Sequence, residues 1–245
     1  IISELSSILV LFFFLPKNLT IKKKDLAFSK GYAKEAMNIS IPSTASRLIG
    51  SFGYFLEPII LTSTLTYVGY SSNFTVTEYG VISGFVMPLL LLPSFFTMAI
   101  SQALLPVISK ATSNKHYDYA KKKLKQAIGI SLLIGVPASL ALAIFPEFFL
   151  GLIYNTHEGV AYMRFLAPIC ILQYIQAPLS ACLDAMGLTK LGLKATIIGT
   201  LIRTIFLLIF SLLKIGMWGL IFSTSLNVIF TTFYNLYQVK TSLKK

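Results

Sequence analysis

The sequence predicts an all-α integral membrane protein, a polytopic helix bundle with six complete transmembrane helices plus the end of a preceding one. Three observations carry this. Hydrophobic residues make up 55% of the chain and charged residues only 12%, and mean hydropathy is +0.76; a soluble domain of this size needs far more charged surface. The apolar runs are long and continuous, as spanning helices require, and not the short alternating strands of a membrane barrel. Finally, the lysines sit in loops that alternate with loops lacking them.

The elements follow in order. The run from Ile1 to Pro16 is short for a complete span and has neither the basic start nor the small-residue cleavage site of a signal peptide. It reads as the end of a truncated span, residues 1–16. A basic cytoplasmic linker, 17–38, follows, then a six-helix lobe over 39–239 and a basic cytoplasmic tail, 240–245. The expected spans are Ile39–Leu65, Val81–Leu105, Ala127–Leu150, Gly159–Met186, Leu193–Leu213 and Gly219–Val239.

The loops sort by charge. Six lysines between Lys17 and Lys34 precede the first full span, and the loop Thr66–Thr77 has no lysine or arginine. Six lysines between Lys110 and Lys125 come next, and the stretch after Leu150 has no lysine or arginine before Arg164. Lys190 and Lys194 follow, then Lys214 alone, then Lys240, Lys244 and Lys245. Positively charged loops stay inside, so the expected location is a multi-pass cell membrane protein, in a bacterial plasma membrane, with a cytoplasmic C-terminus. The same reading accounts for the net charge of +12 without nucleic acid as a partner; the partners are membrane lipids. The polar stretch Lys110–Gln126 is expected to lie along the cytoplasmic interface or to act as a solvated connector. Trp218 and Tyr67 or Tyr70 fall near the outer boundary, where amphipathic rings gather.

Enzyme and metal motifs are missing. Gly187–Lys194 has Leu193 where a phosphate-binding loop needs lysine, and no strand precedes it. His157-Glu158 has no second histidine four residues on, so no metal site is expected. Cys170 and Cys182 lie about 18 Å apart along one helix and cannot bridge each other. No cofactor is expected.

The informative residues are charges and prolines inside the spans. All three arginines, Arg47, Arg164 and Arg203, lie within spans. A charge at the bilayer centre costs roughly 2.5–3.5 kcal/mol on insertion scales and marks a functional position by default. Arginine stays charged when desolvated and grips phosphate or carboxylate with a planar fork. Arg47 and Glu57 are about 15 Å apart along their helix, so they cannot pair, but their directions differ by only about 80°. Both are expected to border one cavity at different depths, the alternative being structural pairing between helices. Arg203 needs a partner from another helix, water or a ligand. Arg164 is placed to reach the headgroups, and Asp184 to face water or Lys190. Pro58, Pro88, Pro93 and Pro106, with Pro137, Pro168 and Pro178, are expected to kink the helices, as in bundles that bend around a cavity to gate transport. Ser46 and Gly50 form a small-xxx-small pair suited to close helix contact.

SRLIGSFGYFLEPIIL (Ser46–Leu61) and YGVISGFVMPLLLLPSFFTMAISQALLPVISKA (Tyr79–Ala111) resemble the stage V sporulation protein B group of polysaccharide-biosynthesis flippases. IGISLLIGVPASLAL (Ile128–Leu142) and LQYIQAPLSACLDAMG (Leu172–Gly187) extend the likeness. That group belongs to the superfamily of lipid II flippases and multidrug extruders. The resemblance implies a two-lobed alternating-access transporter, of which this chain is the second lobe and lacks the N-terminal partner lobe. It also implies a polyprenyl-diphosphate-linked saccharide, a peptidoglycan precursor or polysaccharide repeat unit, moved from inner to outer leaflet. Arg47 and Glu57 lie inside a matching motif and are the implied substrate-binding residues; Arg203 is assigned to binding on physical grounds alone. Coupling to protons, sodium or the membrane potential stays open. The alternatives are a cation-coupled multidrug extruder, with Glu57 as the deep carboxylate, and, behind it, a membrane glycosyltransferase or polymerase or an envelope-assembly scaffold.

Overall fold

The computed structural model describes residues 5–6, 8–10, 13 and 30–243. Most of the expected truncated span and most of the linker therefore lie outside the described residues, as do Lys244 and Lys245. Among the described residues there is no strand. The helices are α1 (Lys30–Val68), α2 (Ser72–Val81), α3 (Met87–Leu91), α4 (Ser94–Ser113), α5 (Tyr117–Ile144), α6 (Pro146–Tyr154), α7 (Val160–Ala185), α8 (Thr189–Leu212) and α9 (Trp218–Ser242). Six helical stretches are long and apolar enough to cross a membrane: Ala36–Val68, Ser72–Leu91, Ser94–Ser113, Tyr117–Ile144, Val160–Ala185 and Thr189–Leu212. α9, with 25 residues, also has the length for a crossing, but carries more polar side chains.

The expected span Val81–Leu105 is corrected here. The chain takes a longer path from Ser72 to Ser113, divided at Leu92–Pro93. Both residues at the division stay in the right-handed helical region, Leu92 at φ −51°, ψ −48° and Pro93 at φ −62°, ψ −20°. The path therefore bends instead of turning back, and the two stretches form one kinked course. Its cause is a pair of prolines in successive turns. Pro88 has no N–H for the carbonyl four residues back. Immediately ahead of it lies a five-residue π-helical segment, Ile82–Val86, closed by the Met87 N–H bonding to the Ile82 carbonyl. Pro93 removes the next ladder bond, and the Leu92 N–H reaches back to the Leu89 carbonyl. Pro58 and Pro106 leave α1 and α4 unbroken, because one lost bond is tolerated in a membrane helix.

Three further boundaries differ from expectation. Residues 30–38, read as linker, are already helical, and α1 is about 58 Å long, longer than a bilayer core. Lys110–Gln126 is not a separate interfacial segment. α4 runs to Ser113, a turn covers Asn114–His116 with Lys115 at φ 59°, and α5 continues straight from Tyr117. The span read as Ala127–Leu150 ends at Ile144; Phe145 leaves the helical region and Pro146 starts α6, a position where its missing N–H costs nothing.

α7 is the central helix and packs against α4, α5 and α9, while α8 packs on α9. Gly135 on α5 makes this possible: a Cβ there would collide with the Tyr174 ring of α7. Tyr174 is fully buried and its hydroxyl donates to the Leu90 carbonyl at 2.7 Å, meeting a polar backbone group beside the kink. Two apolar clusters hold the bundle. One gathers Leu61, Leu65, Leu150, Met163, Met217 and Leu220. The other gathers Leu104, Ile108, Leu124, Cys182, Leu183 and Val239, next to the turns that carry Lys110–Lys125 and Lys190. At the end of the first cluster the Tyr70 hydroxyl donates to the Lys214 carbonyl at 2.7 Å, joining two turns that the charge pattern had placed together. Trp218 packs edge-on against Tyr162 and Phe165. Both cysteines are free and buried.

Two substitutions test this core. Gly135→Leu drives a side chain into the Tyr174 ring and costs about 1–3 kcal/mol or more, whereas Tyr174→Phe loses one interhelical hydrogen bond worth about 0.6–2 kcal/mol. Thermal unfolding in detergent is expected to show the larger fall in midpoint for Gly135→Leu; the reverse order would displace the α5–α7 contact as the tighter constraint.

Candidate functional site

A polar tract runs between α1, α7, α8 and α9 as two adjacent chambers that share Gln176, Thr196 and Thr231 in their walls. Each helix supplies it through one face at helical spacing. α7 gives Gln173, Gln176, Ser180 and Asp184; α8 gives Thr196, Thr200 and Arg203; α9 gives Thr224, Asn227, Thr231 and Asn235. On α1 the same face runs from Ser43 and Arg47 through Gly50 and Tyr54 to Glu57.

Small residues set the walls. Ser46 Oγ and Thr196 Oγ1 share a hydrogen bond of 2.7 Å across α1 and α8, so the small-xxx-small expectation holds at Ser46. A Cβ on Gly53 would lie 2.5 Å from Thr200 Cγ2, and one on Gly199 would lie 2.6 Å from Asn227 Oδ1. Glycine at these two places is what lets α1 approach α8 and α8 approach α9.

The inner chamber, about 160 Å³, is built around Glu57 and Arg203. These two form an ion pair across α1 and α8, Arg203 Nη2 to Glu57 Oε2, with side chains only 9% and 8% exposed. Tyr79 of α2 directs its hydroxyl at Glu57 Oε1 from 3.5 Å, and the guanidinium of Arg203 lies over the Tyr54 ring, 4.3 Å from its centroid. Arg203 thus meets its carboxylate on one side and an aromatic face on the other. Among the described residues its Nε has no partner, nor have Thr224 Oγ1 and Asn227 Oδ1. Gln176 is held by α9: its Nε2 donates to Thr231 Oγ1 at 2.7 Å and Thr232 Oγ1 at 2.9 Å.

The outer chamber, about 220 Å³, contains Arg47 and Asp184. Both are exposed, and among the described residues neither makes an ion pair within 4 Å. Thr189 Oγ1 and Asn235 Oδ1 are buried beside them without partners.

Arg47 and Glu57 line two adjacent chambers of the tract and not one cavity, and Glu57 takes the alternative, structural pairing between helices, with Arg203 as its partner. Arg164 lies outside the tract, bonded to Glu147 at 3.0 Å with both side chains more than half exposed. Asp184, expected to face water or Lys190, is exposed and lines the same chamber as Arg47. The amide and hydroxyl residues of α7 and α9 escaped the sequence reading. Their signal was present as polar side chains three or four apart within apolar spans, but uncharged groups stand out weakly there. Among the described residues no cluster of histidine, cysteine and carboxylate groups suits a metal ion.

Removing one member of a buried pair strands the other charge, at about 3–5 kcal/mol. Glu57→Gln and Arg203→Met are each expected to lower the unfolding midpoint strongly, and the double variant to cost less than their sum. Additive losses would mean that the two side chains do not act as a pair.

The comparisons with known proteins agree with this architecture. The MatE family model matches residues 51–209. Stage V sporulation protein B of Bacillus subtilis (strain 168) is 34% identical over 206 residues, covering 82% of this chain and 40% of that protein. Sporulation protein YkvU of the same organism is 29% identical over 161 residues, covering 66% of this chain and 36% of that protein. The chain thus spans 40% or less of the length of these relatives. In fold it is similar to a MATE protein in the bent conformation, with TM-score 0.82, 18% identity and coverage of 97% of this chain and 52% of that one. A MOP superfamily transporter from Pyrococcus furiosus Vc1 (DSM3638) gives a TM-score of 0.74 at 19% identity, over 98% of this chain and 54% of that one.

Proposed function

The chain belongs to the MatE family, whose members are transporters and not enzymes, and from that premise we propose that it works as a lobe of a flippase for a lipid-linked anionic saccharide. The lobe carries a headgroup from the inner to the outer membrane leaflet by alternating access, with its basic turns and C-terminus on the cytoplasmic side of a bacterial plasma membrane and a second lobe completing the cavity. Arg47 receives the anionic, diphosphate-type group. Membrane lipids surround the bundle, and the exposed apolar side chains Leu48, Phe52, Phe55 and Ile59 of α1 offer a face for the lipid tail. The prolines at the α2–α4 kink, Pro88 and Pro93, supply the bend that gating uses; Pro58 and Pro106 sit within continuous helices and serve it less directly.

The observation that carries the proposal is the chemistry of the tract. Hydroxyl and amide groups line it on α7, α8 and α9, several with unmet hydrogen-bonding atoms. Pockets for drug-like molecules are predominantly apolar and aromatic; this one suits sugar hydroxyls and phosphate oxygens. The similarity to stage V sporulation protein B points the same way. A second reading, a cation-coupled multidrug extruder, draws support from the fold shared with a multidrug resistance MATE family transporter and from the deep carboxylate Glu57. That carboxylate, however, is already met by Arg203 and Tyr79.

Complementation with the complete gene, in a host depleted of its own lipid II flippase, tests the proposal. The native protein is expected to restore growth, Arg47→Ala to abolish rescue at matched abundance, and Arg47→Lys to restore it poorly, since a point charge does not replace a planar fork. Equal rescue by all three would remove Arg47 from binding. Failure of the native protein to rescue, together with raised resistance to lipophilic cations, would favour the extruder.

A further inference from the structure

The outer chamber has a feature that binding of a simple anion does not require. Arg47 sits in it opposite a carboxylate, Asp184. An anion site gains nothing from a negative charge in its wall; like charges brought together are repelled. Nor is Asp184 there to neutralise Arg47 by contact, since the two make no ion pair within 4 Å. Both line the same polar space of about 220 Å³.

Two side chains beside them have unmet hydrogen-bonding atoms. Asn235, 6% exposed, has an unpartnered Oδ1, and Thr189, 3% exposed, an unpartnered Oγ1. An amide oxygen only accepts, a carboxylate only accepts, and a hydroxyl does either. Asp184 and Asn235 Oδ1 thus place two acceptor-only groups in a lining whose other polar side chains, Arg47 aside, are hydroxyls and amides, which also donate. Buried polar atoms left without partners are costly, and the group that meets these must bring hydrogens, most favourably charged ones.

We propose that this chamber reads a headgroup of mixed charge: an anion, held by Arg47, next to an ammonium, held by Asp184 with Asn235 Oδ1 and Thr189 Oγ1. An amino sugar phosphate has this chemistry; a sugar phosphate without the amine satisfies only half of it. The inference rests on the flippase reading and gives it a preference, among phosphate-bearing saccharides, for those with a free amine near the phosphate. Asp184 is then a specificity residue, acting through contact with the ammonium, and Arg47 the affinity residue for every phosphate ligand.

The test is titration of the complete purified protein in detergent with three soluble probes: glucosamine 1-phosphate, N-acetylglucosamine 1-phosphate and glucose 1-phosphate. Glucosamine 1-phosphate is expected to bind about tenfold more tightly than glucose 1-phosphate, the gain of one charge-assisted hydrogen bond, and the acetylated probe to lose that advantage. Asp184→Asn and Asp184→Ala are expected to erase the preference and to leave glucose 1-phosphate bound at least as tightly as in the native protein, because they remove the bond to the amine and a like charge beside the phosphate. Arg47→Ala is expected to weaken all three. Equal affinity for the three probes in the native protein overturns the inference, as does a preference that survives both Asp184 variants; if binding then still depends on Arg47, the flippase reading stands without it. Loss of all phosphate binding in the native protein overturns both.

Discussion

The ion pair between Glu57 and Arg203 ties α1 to α8, and the tract exists because of where that tie is made. Each charge alone would cost roughly 2.5–3.5 kcal/mol at the bilayer centre. Joined, and with Tyr79 and Tyr54 closing around them, they present little net charge. The pair sits at the inner end of the α1–α8 contact, and the Ser46–Thr196 hydrogen bond lies eleven residues earlier on α1. Between these two ties the helices meet through Gly50 and Gly53. Polar contact thus fixes both ends of an interface whose middle is made of small residues, and the walls on α7 and α9 complete the space beside it.

Much of this was legible in the sequence, and the parts that were not share a physical cause. Arg47, Glu57 and Arg203 stood out because charge is rare in apolar spans, and helical geometry alone excluded an Arg47–Glu57 pair while placing both on one tract. Which arginine meets Glu57 is a question about two different helices, and one chain segment read at a time does not contain it. Asp184 was read from its nearness to a span end, yet the face of α7 on which it lies, shared with Gln173, Gln176 and Ser180, decides where it points. The prolines show the same limit. Pro58, Pro88, Pro93 and Pro106 look alike in sequence, but only the pair five residues apart removes ladder bonds from successive turns, and there the helix gives way. The paired placement of the Tyr70 and Lys214 turns was legible because loop charge reports topology directly.

Charge balance in the tract bears on how such a lobe would select its cargo. Two arginines face two carboxylates, so attraction by net charge is weak, and discrimination falls to the arrangement of donors and acceptors. That arrangement is stringent in a dry setting, because a ligand that fails to meet a buried polar atom pays the whole cost of leaving it bare. Transport adds a second requirement. A ligand shifts a conformational equilibrium only by its difference in affinity between the two states. The inner chamber is closed around an ion pair, whereas Arg47 and Asp184 in the outer chamber make no ion pair within 4 Å among the described residues. A headgroup bound first in the outer chamber gains its contacts without breaking any. To advance toward Thr224 and Asn227 it must pass beside Arg203, where it competes with Glu57 for the same guanidinium. In the proposed flippase the affinity that would drive the conformational change is set by that exchange of one partner for another, and Arg203 Nε, unpartnered among the described residues, is the atom at which it would begin.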